Sequence, residues 1–251
     1  RSIRLITTFI IPFMSCSARL PIYIVFIGTF FAAYSGAVMT GLYLLGIVMA
    51  VLTARLMRRL LFKVDETPFV MELPPYRIPT VKATLSHMWA RCRQYLRKMG
   101  GMILVASLVV WFLGYFPRQT EAESVQHQYE TSYIGQIGRL CEPVLEPLGL
   151  NWKAGVALLS GVAAKEIMVS TMGVLYANDS SEQSEPDSLS QTLSKSNDYT
   201  TASSLALLVF ALLYTPCIAT IAAIGAENGK RWALASIVYS TAVAWLCAYA
   251  V

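Results

Sequence analysis

The stretch that decides the fold runs from Ile22 to Leu52 and reads IYIVFIGTFFAAYSGAVMTGLYLLGIVMAVL, with no charged residue. A helix rises about 1.5 Å per residue, so this stretch is long enough to cross a hydrocarbon core of roughly 30 Å with tilt. Basic residues follow it closely, at Arg55, Arg58, Arg59 and Lys63. By the positive-inside rule this end faces the cytoplasm. The stretch therefore predicts a membrane-spanning segment of known orientation.

The composition of the whole chain agrees with a membrane protein. The chain has 251 residues, of which 55% are hydrophobic and only 14% are charged. A soluble domain normally has about a quarter charged residues. The net charge of +5 is unevenly distributed and forms no basic patch interleaved with aromatic residues, so we expect no nucleic-acid partner. The predicted class is an all-α, multi-pass integral membrane protein with the lipid bilayer as its surroundings.

A proline-rich segment and a basic helix are predicted after the first apolar stretch. Val64 to Pro79 contains four prolines, which exclude a regular helix and predict an extended cytoplasmic strap. Thr80 is a suitable N-cap, and from there to Met99 apolar residues occupy one helical face and basic residues the others. This pattern predicts an interfacial helix at the cytoplasmic headgroups that continues into the apolar block Gly100 to Phe116. The alternative is an ordinary surface helix of a soluble domain.

The remaining apolar blocks must be reconciled with the charges between them. We expect 117–153 to be an acidic outer loop and 178–204 a flexible polar loop. If every block crossed the membrane once, Lys230 and Arg231 would lie outside, against the positive-inside rule. A broken or re-entrant segment at Ala154 to Tyr176 removes this conflict, and its glycines and central charges suit such a segment.

Glu166 is the first candidate functional residue, because an ionisable side chain inside a membrane segment is costly to keep. On a continuous helix Glu166 shares a face with Ala163, Ser170 and Gly173, which would form a small polar groove. The alternative is that Lys165 and Glu166 lie at a helix end near the membrane interface.

Two cysteines are the other candidates. Cys16-Ser17-Ala18-Arg19 and Cys217-Ile218-Ala219-Thr220 share a short pattern, and a proline precedes each, at Pro12 and Pro216. Paired interruptions in two halves of a transporter indicate a binding site, because a broken helix exposes carbonyl groups. The alternative is that both cysteines are small buried hydrophobic residues.

The donor atoms of these candidates suit a particular kind of ion. Two thiols, a carboxylate and loosened carbonyls suit a borderline divalent cation such as Fe²⁺, whereas Mg²⁺ or Ca²⁺ prefers oxygen alone. We therefore predict that Cys16, Cys217 and Glu166 lie on the path of a transported metal ion. No permanently bound cofactor is expected.

Four strings carry a resemblance to a known family: PFMSCSARLPIY (Pro12 to Tyr23), ELPPYRIPT (Glu72 to Thr80), GVAAKEIMVSTMGVLY (Gly161 to Tyr176) and YTPCIAT (Tyr214 to Thr220). They resemble the signature segments of FeoB-type ferrous-iron transporters. The resemblance implies a permease with two Gate-type halves that moves Fe²⁺ inward across the bacterial inner membrane. It implies a first Gate-type segment at 1–52, the strap and basic helix at 53–99, and a second Gate-type half at 100–251. The family's Gate cysteines map onto Cys16 and Cys217, and its intramembrane acid maps onto Glu166.

The resemblance also implies partners. Family members usually carry an N-terminal GTP-binding domain, but this chain has no G-x-x-x-x-G-K-[ST] phosphate loop. We therefore expect this chain to be a fragment of a longer protein. The fragment is not expected to be an enzyme, and GTP is expected to act on it only through the missing N-terminal domain. Small cytoplasmic accessory proteins and a homo-oligomer are further expected partners.

Three other functions compete with iron transport. A nucleoside or other small-solute carrier is the main one, since Gate-type segments are also associated with nucleoside recognition. An intramembrane enzyme would use Lys165 or Ser170, but the two do not share a helical face, so an activating pair is missing. A signalling or scaffold protein would instead act through the strap and the basic helix.

Overall fold

A computed structural model describes residues 2–60, 80–117, 125–176, 186–195 and 198–251. All regular secondary structure in these ranges is helical, which confirms the all-α prediction. The helices long and apolar enough to cross a membrane, by length and composition, are Leu5–Phe30, Ala32–Arg59, Thr201–Asn228 and Lys230–Tyr249. The predicted strap at Val64 to Pro79 lies outside the described residues.

The described α-helices are α1 (Ser2–Ile10), α2 (Leu20–Phe30), α3 (Ser35–Leu60), α4 (Val81–Tyr115), α5 (Val125–Thr131), α6 (Tyr133–Leu145), α7 (Trp152–Ala163), α8 (Ile167–Tyr176), α9 (Pro186–Lys195), α10 (Thr201–Leu213), α11 (Ile218–Asn228) and α12 (Lys230–Tyr249). Short 3₁₀ turns lie at Ile11–Phe13, Ser17–Arg19, Ala32–Tyr34 and Glu146–Leu148.

One structural plan occurs twice in the chain. An interrupted span, α1 and α2, is followed by the long helix α3, which packs against both of its halves. A second interrupted span, α10 and α11, is followed by α12, which again packs against both halves. α10 lies at the centre of the core, where Leu207, Leu208 and Leu212 are fully buried. Each interruption is thus held in place by an unbroken neighbouring helix.

The stretch Ile22 to Leu52 does not form one crossing helix, so that expectation was wrong. α2 ends at Phe30, and Phe31 leaves the helical conformation (φ −129°, ψ 30°) before α3 begins at Ser35. A single helix of this length would exceed the hydrocarbon core, whereas a turn lets α2 and α3 pack against each other. The stretch therefore forms the end of the first span, α2, and most of the second span, α3. The basic residues Arg55, Arg58 and Arg59 still lie at the end of a span, so the predicted orientation is unchanged.

The segment Ala154 to Tyr176 has the predicted interruption and folds as a helical hairpin. The Asn151 Nδ2 group donates a hydrogen bond of 3.1 Å to the Tyr176 hydroxyl, and Lys153 Nζ lies 4.5 Å from the centroid of the Tyr176 ring. The start of α7 and the end of α8 are therefore side by side, with residues 164–166 at the tip. Helices of 12 and 10 residues are about 18 and 15 Å long, roughly half of a hydrocarbon core each. This is the geometry of a re-entrant segment.

Contacts between the spans give them one consistent orientation. Asn228 Nδ2 donates to the Thr8 hydroxyl at 2.8 Å, so the start of the first span lies beside the end of α11. At the opposite end, the Tyr199 ring packs edge-on against Phe26 and Phe30. Residues 228–231, with two basic side chains, are thus at the same end of the bundle as the start of the first span. Because the α7–α8 hairpin starts and ends on the same side of the membrane, it does not change the direction of the later spans. The end of the bundle that contains residues 228–231 is then the cytoplasmic end predicted by the positive-inside rule.

Two segments that were expected to be loops contain helices. The predicted outer loop 117–153 contains α5 and α6, and α6 packs against α4 and α7. The predicted flexible loop 178–204 contains α9, in which Leu189 and Leu193 are buried and which packs against α2 and α8. Two leucines four residues apart lie on the same helical face, so the otherwise polar segment has an apolar side to bury.

The basic helix continues without interruption into the apolar block, as predicted. α4 has 35 residues, and Thr80 occupies its N-cap position with extended backbone, although its side chain makes no capping hydrogen bond. The exposed apolar side chains of its first half include Trp89, 69% exposed, and Leu85, 59% exposed. Binding of this half to anionic headgroups stays a prediction.

The orientation gives a test by cysteine labelling. A membrane-impermeant maleimide added to intact cells is expected to label the intact protein carrying Arg139→Cys on α6, and not the one carrying His87→Cys on α4. The reason is that basic residues crowd the end of α3 and the first half of α4, and the positive-inside rule assigns such residues to the cytoplasmic side. Inverted vesicles should give the opposite pattern, with the unsubstituted protein as background. Labelling of His87→Cys from outside would show that the orientation is reversed.

Candidate functional site

The hairpin tip meets both interrupted spans. Lys165 Nζ lies 3.5 Å from the carbonyl oxygen of Ala211 in α10 and 3.8 Å from the centroid of the Tyr214 ring. The first break also lies beside α10, since the turn Ile11–Phe13 packs against that helix. The three interruptions, far apart in sequence, therefore come together. We call this region the junction and define it by Cys16, Arg19, Lys165, Tyr214 and Cys217.

Close packing around the junction depends on two glycines. A Cβ atom at Gly161 in α7 would lie 2.5 Å from the Tyr214 hydroxyl oxygen. A Cβ atom at Gly46 in α3 would lie 2.9 Å from the carbonyl oxygen of Phe13. Backbone does not yield easily, so α3 reaches the first break only because residue 46 has no side chain.

Arg19 holds the first break. Its side chain is only 3% exposed, and its Nη2 and Nη1 groups donate hydrogen bonds of 2.9 Å to the carbonyl oxygens of Pro12 and Met14. Carbonyls at the end of an interrupted helix have no N–H partner within the helix, so another donor must satisfy them. The carbonyls that were expected to be loosened for a metal ion are thus bonded to a guanidinium group.

The second break is completed by Lys165. Pro216 has no N–H, so α10 cannot continue, and the Tyr214 N–H bonds the Phe210 carbonyl as the last backbone hydrogen bond of the helix. The carbonyls after Phe210 need other donors. The Lys165 Nζ group donates to one of them, that of Ala211, at 3.5 Å. The Tyr214 hydroxyl and Thr215 Oγ1 are buried without a hydrogen-bond partner among the described residues.

Each predicted cysteine lies at the start of the helix that follows a break. Cys16 is exposed and has extended backbone before the turn Ser17–Arg19. Cys217 is half-buried, occupies the N-cap position of α11, and its Sγ atom lies 3.4 Å from Thr220 Oγ1. The alternative that both are fully buried hydrophobic residues does not fit these positions.

Glu166 differs from its prediction. α7 ends at Ala163 and α8 begins at Ile167, so Glu166 lies in the turn between them and its side chain is exposed. The predicted helical face shared with Ser170 and Gly173 is therefore wrong, because the helix is interrupted at this point. The buried ionisable side chain of the tip is Lys165, which is 6% exposed.

The junction has no preformed cluster of metal ligands in the described part of the chain. No group of three or more His, Cys, Asp or Glu residues there is arranged to hold a metal ion, and this includes Cys16, Cys217 and Glu166. Across the same ranges no carboxylate lies within ion-pair distance of Arg19 or Lys165. The roles of the cysteines and of Glu166 in an ion path stay predictions, and an entering cation meets two buried basic side chains.

Sequence reasoning missed the contribution of Arg19, Lys165 and Tyr214. Lys165 was visible as an ionisable residue in an apolar block, but the adjacent Glu166 was preferred because its charge suits a cation. The signal that could have found Arg19 is its position three residues after Cys16, within an otherwise apolar span.

Comparison with known proteins adds independent information. The family model described as "Nucleoside recognition" matches residues 96–231, and that described as "Ferrous iron transport protein B C terminus" matches residues 39–91. The chain is 44% identical to the "Fe(2+) transport protein A/Fe(2+) transporter FeoB fusion protein" of Porphyromonas gingivalis. It is 37% identical to the "Fe(2+) transporter FeoB" of Campylobacter jejuni and to that of Methanocaldococcus jannaschii.

These similarities extend over 98% of this chain and over 34%, 41% and 36% of the three relatives, respectively. The chain thus spans between a third and a little over two fifths of the length of these curated relatives. No solved structure matches it significantly.

Proposed function

The chain belongs to the FeoB family of ferrous-iron transport proteins, as their C-terminal permease region, and from this membership we propose that it carries Fe²⁺ across the bacterial inner membrane into the cell. The observation that carries the proposal is the meeting of the two interrupted spans at the junction, with a thiol at the start of each continuing helix. Interrupted helices that line an internal site are how membrane transporters hold ions near the bilayer midplane.

The donor atoms at the junction support a borderline divalent cation. Cys16 and Cys217 offer sulfur, and Tyr214 and Thr215 offer hydroxyl oxygens that have no hydrogen-bond partner among the described residues, a mixture that suits Fe²⁺ better than Mg²⁺ or Ca²⁺. Glu166, exposed at the hairpin tip, is proposed to offer a negative charge at the entrance to the junction rather than within it. A dehydrated cation cannot cross hydrocarbon, so its waters must be replaced by such groups.

Neither a nucleoside carrier nor an enzyme is favoured. One matching family model is described as nucleoside recognition, but the relatives are named Fe(2+) transporters and a thiol accompanies each break. For catalysis, Lys165 is already engaged with the Ala211 carbonyl, and Ser170 is exposed on α8. We therefore propose no catalytic residue in this chain.

The proposed partners belong to the longer protein. Because the relatives extend well beyond this chain, we propose a GTP-binding domain elsewhere in the intact protein, and with it a first Gate-type segment at 1–52, the connecting region at 53–99 and a second half at 100–251. The Porphyromonas gingivalis relative is named as a fusion with Fe(2+) transport protein A, which supports a small accessory protein as a further partner. A homo-oligomer is also proposed.

Transport by the intact protein in liposomes tests the proposal. Under reducing conditions Fe²⁺ is expected to accumulate inside, and a nucleoside is not. Glu166→Gln should lower the rate of Fe²⁺ uptake by about tenfold, since a charge near a divalent ion contributes about a kcal/mol or more in a partly wet site. Glu142→Gln on α6, away from the hairpin tip, is the matched control and should not change the rate. Saturable nucleoside uptake without Fe²⁺ uptake would favour the other carrier class.

A further inference from the structure

A groove on the side of the bundle lies between α4, α7 and the start of α11. Its volume is about 640 Å³, and all of the residues that line it are apolar. One side is formed by α4 from Gly101 to Val110, and the other by the last residues of α7, up to Ala163, and by Ile218 of α11. Val105 is 61% exposed although it lines the groove, so the described helices leave this side accessible.

The groove has the depth of one membrane leaflet. Val110 follows Gly101 by nine residues, which is about 14 Å along a helix. Half of a hydrocarbon core is about 15 Å thick. Gly101 comes directly after the basic half of α4, which the positive-inside rule assigns to the cytoplasmic side. The groove therefore lies at the depth of the cytoplasmic leaflet.

The size of the groove suits an acyl chain rather than a helix. A helix with its side chains is at least about 10 Å wide, so a 14 Å length of it fills roughly 1,100 Å³. This exceeds the volume of the groove, about 640 Å³. A helix of a second copy or of another protein is thus too wide to be enclosed. An acyl chain is a single file of methylene groups, and an apolar wall gives it van der Waals contacts along its length.

Basic residues continue the groove toward the cytoplasm. α4 has no acidic residue along its length, and before the groove it carries Arg91, Arg93, Arg97 and Lys98. Arg97 is four residues before Gly101 and Lys98 four residues before Met102, so both positions are one turn away from the groove along the same helix. The Arg97 side chain is exposed, and no acidic side chain of the described ranges lies within ion-pair distance of it. The end of the groove therefore attracts a negatively charged headgroup.

We propose that the groove holds an acyl chain of one anionic phospholipid of the cytoplasmic leaflet, with its headgroup at the turn that contains Arg97 and Lys98. The inference goes beyond iron transport and does not depend on it. Ala163 is the last residue of α7, and Ile218 follows Cys217 directly. The bound chain therefore contacts the ends of two elements that meet at the junction, and the lipid supports their position from outside.

Two neighbouring glycines give a matched test. A Cβ atom at Gly100 or at Gly101 would meet no atom of another helix within 4 Å, so there is room for a side chain at either position, but only Gly101 lines the groove. The purified full-length protein is washed in detergent with equal amounts of phosphatidylglycerol and phosphatidylcholine, and the retained lipids are counted by native mass spectrometry. Gly101→Phe is expected to retain several-fold less phosphatidylglycerol than Gly100→Phe. Equal retention would show that no acyl chain occupies the groove. If Gly101→Phe instead dissociates a dimer at an unchanged lipid count, a second copy covers the groove and the proposal is wrong.

The headgroup preference is measured on the same samples and includes the unsubstituted protein. This protein should retain phosphatidylglycerol at least about fivefold over phosphatidylcholine, the effect of one basic residue near an anionic lipid surface. Arg97→Gln combined with Lys98→Gln should remove the preference. Arg58→Gln combined with Arg59→Gln is the matched control and should keep it, because these residues end α3, which packs against α1, α2 and α10. No preference in the unsubstituted protein, or an unchanged preference after substitution of Arg97 and Lys98, would overturn the proposal.

Discussion

Replacing both Cys16 and Cys217 by serine is expected to lower Fe²⁺ uptake by the intact protein about 100-fold. Mutating even the outer partners of metal ligands costs roughly 10- to 100-fold in affinity or activity, and direct sulfur donors should cost at least as much. Serine has nearly the shape of cysteine but offers a hard oxygen in place of a soft sulfur. Cys16 is exposed and Cys217 half-buried, so the substitutions should leave the fold and membrane insertion intact. Initial rates of Fe²⁺ uptake in liposomes measure the effect.

A matched double variant separates ligand loss from general damage. Cys92, exposed on α4, and Cys247, half-buried on α12, are outside the junction, and their replacement by serine should keep the uptake rate. The loss in the junction variant should be larger for Fe²⁺ than for a harder ion such as Mg²⁺. Normal Fe²⁺ transport by the Cys16 and Cys217 double variant would remove the thiols from the ion path.

Arg19→Met is expected to destabilise the protein by about 3 kcal/mol or more, because two charge-assisted hydrogen bonds are lost and two carbonyls are left unpaired. The first break would then have no donor for the Pro12 and Met14 carbonyls. Removing one member of a buried hydrogen-bonded pair lowers the stability strongly, because the other member is left buried without a partner. The same substitution at an exposed site has little effect, because water replaces the lost partner. The measurement is the thermal unfolding midpoint of the purified protein in detergent, which should fall clearly relative to the unsubstituted protein.

An exposed arginine provides the control for this change. Arg139, whose side chain is 54% exposed, makes an ion pair of 3.6 Å with Glu130. Exposed ion pairs contribute between about 0 and 1 kcal/mol, so Arg139→Met should leave the midpoint nearly unchanged. Arg19→Lys should be intermediate, since an ammonium keeps the charge but lacks the planar fork of two nitrogens that reaches both carbonyls. If Arg19→Met is as stable as Arg139→Met, Arg19 does not hold the break.

Properties that depend on neighbouring residues could be predicted from the sequence. The scarcity of charge established the membrane class, and the basic residues at Arg55 to Arg59 indicated one orientation that the contacts between spans fit. Pro216 interrupts its helix because it lacks an N–H wherever it is placed. The hairpin at Ala154 to Tyr176 was predictable for a similar reason, since its charges and glycines conflict with a straight span.

Properties that depend on distant partners could not be predicted. The turn at Phe31 lets α2 pack against α3, and α9 packs against α2 with Leu189 and Leu193 buried. The hydropathy of the chain does not show which segments will be in contact, so neither feature could be predicted from it. Adjacent ionisable residues show the limit most clearly. Lys165 and Glu166 are equally conspicuous in sequence, yet one is buried and the other exposed. The choice is made by Ala211 and Tyr214, whose carbonyl and ring face favour a cation and which only the tertiary fold brings to the hairpin tip.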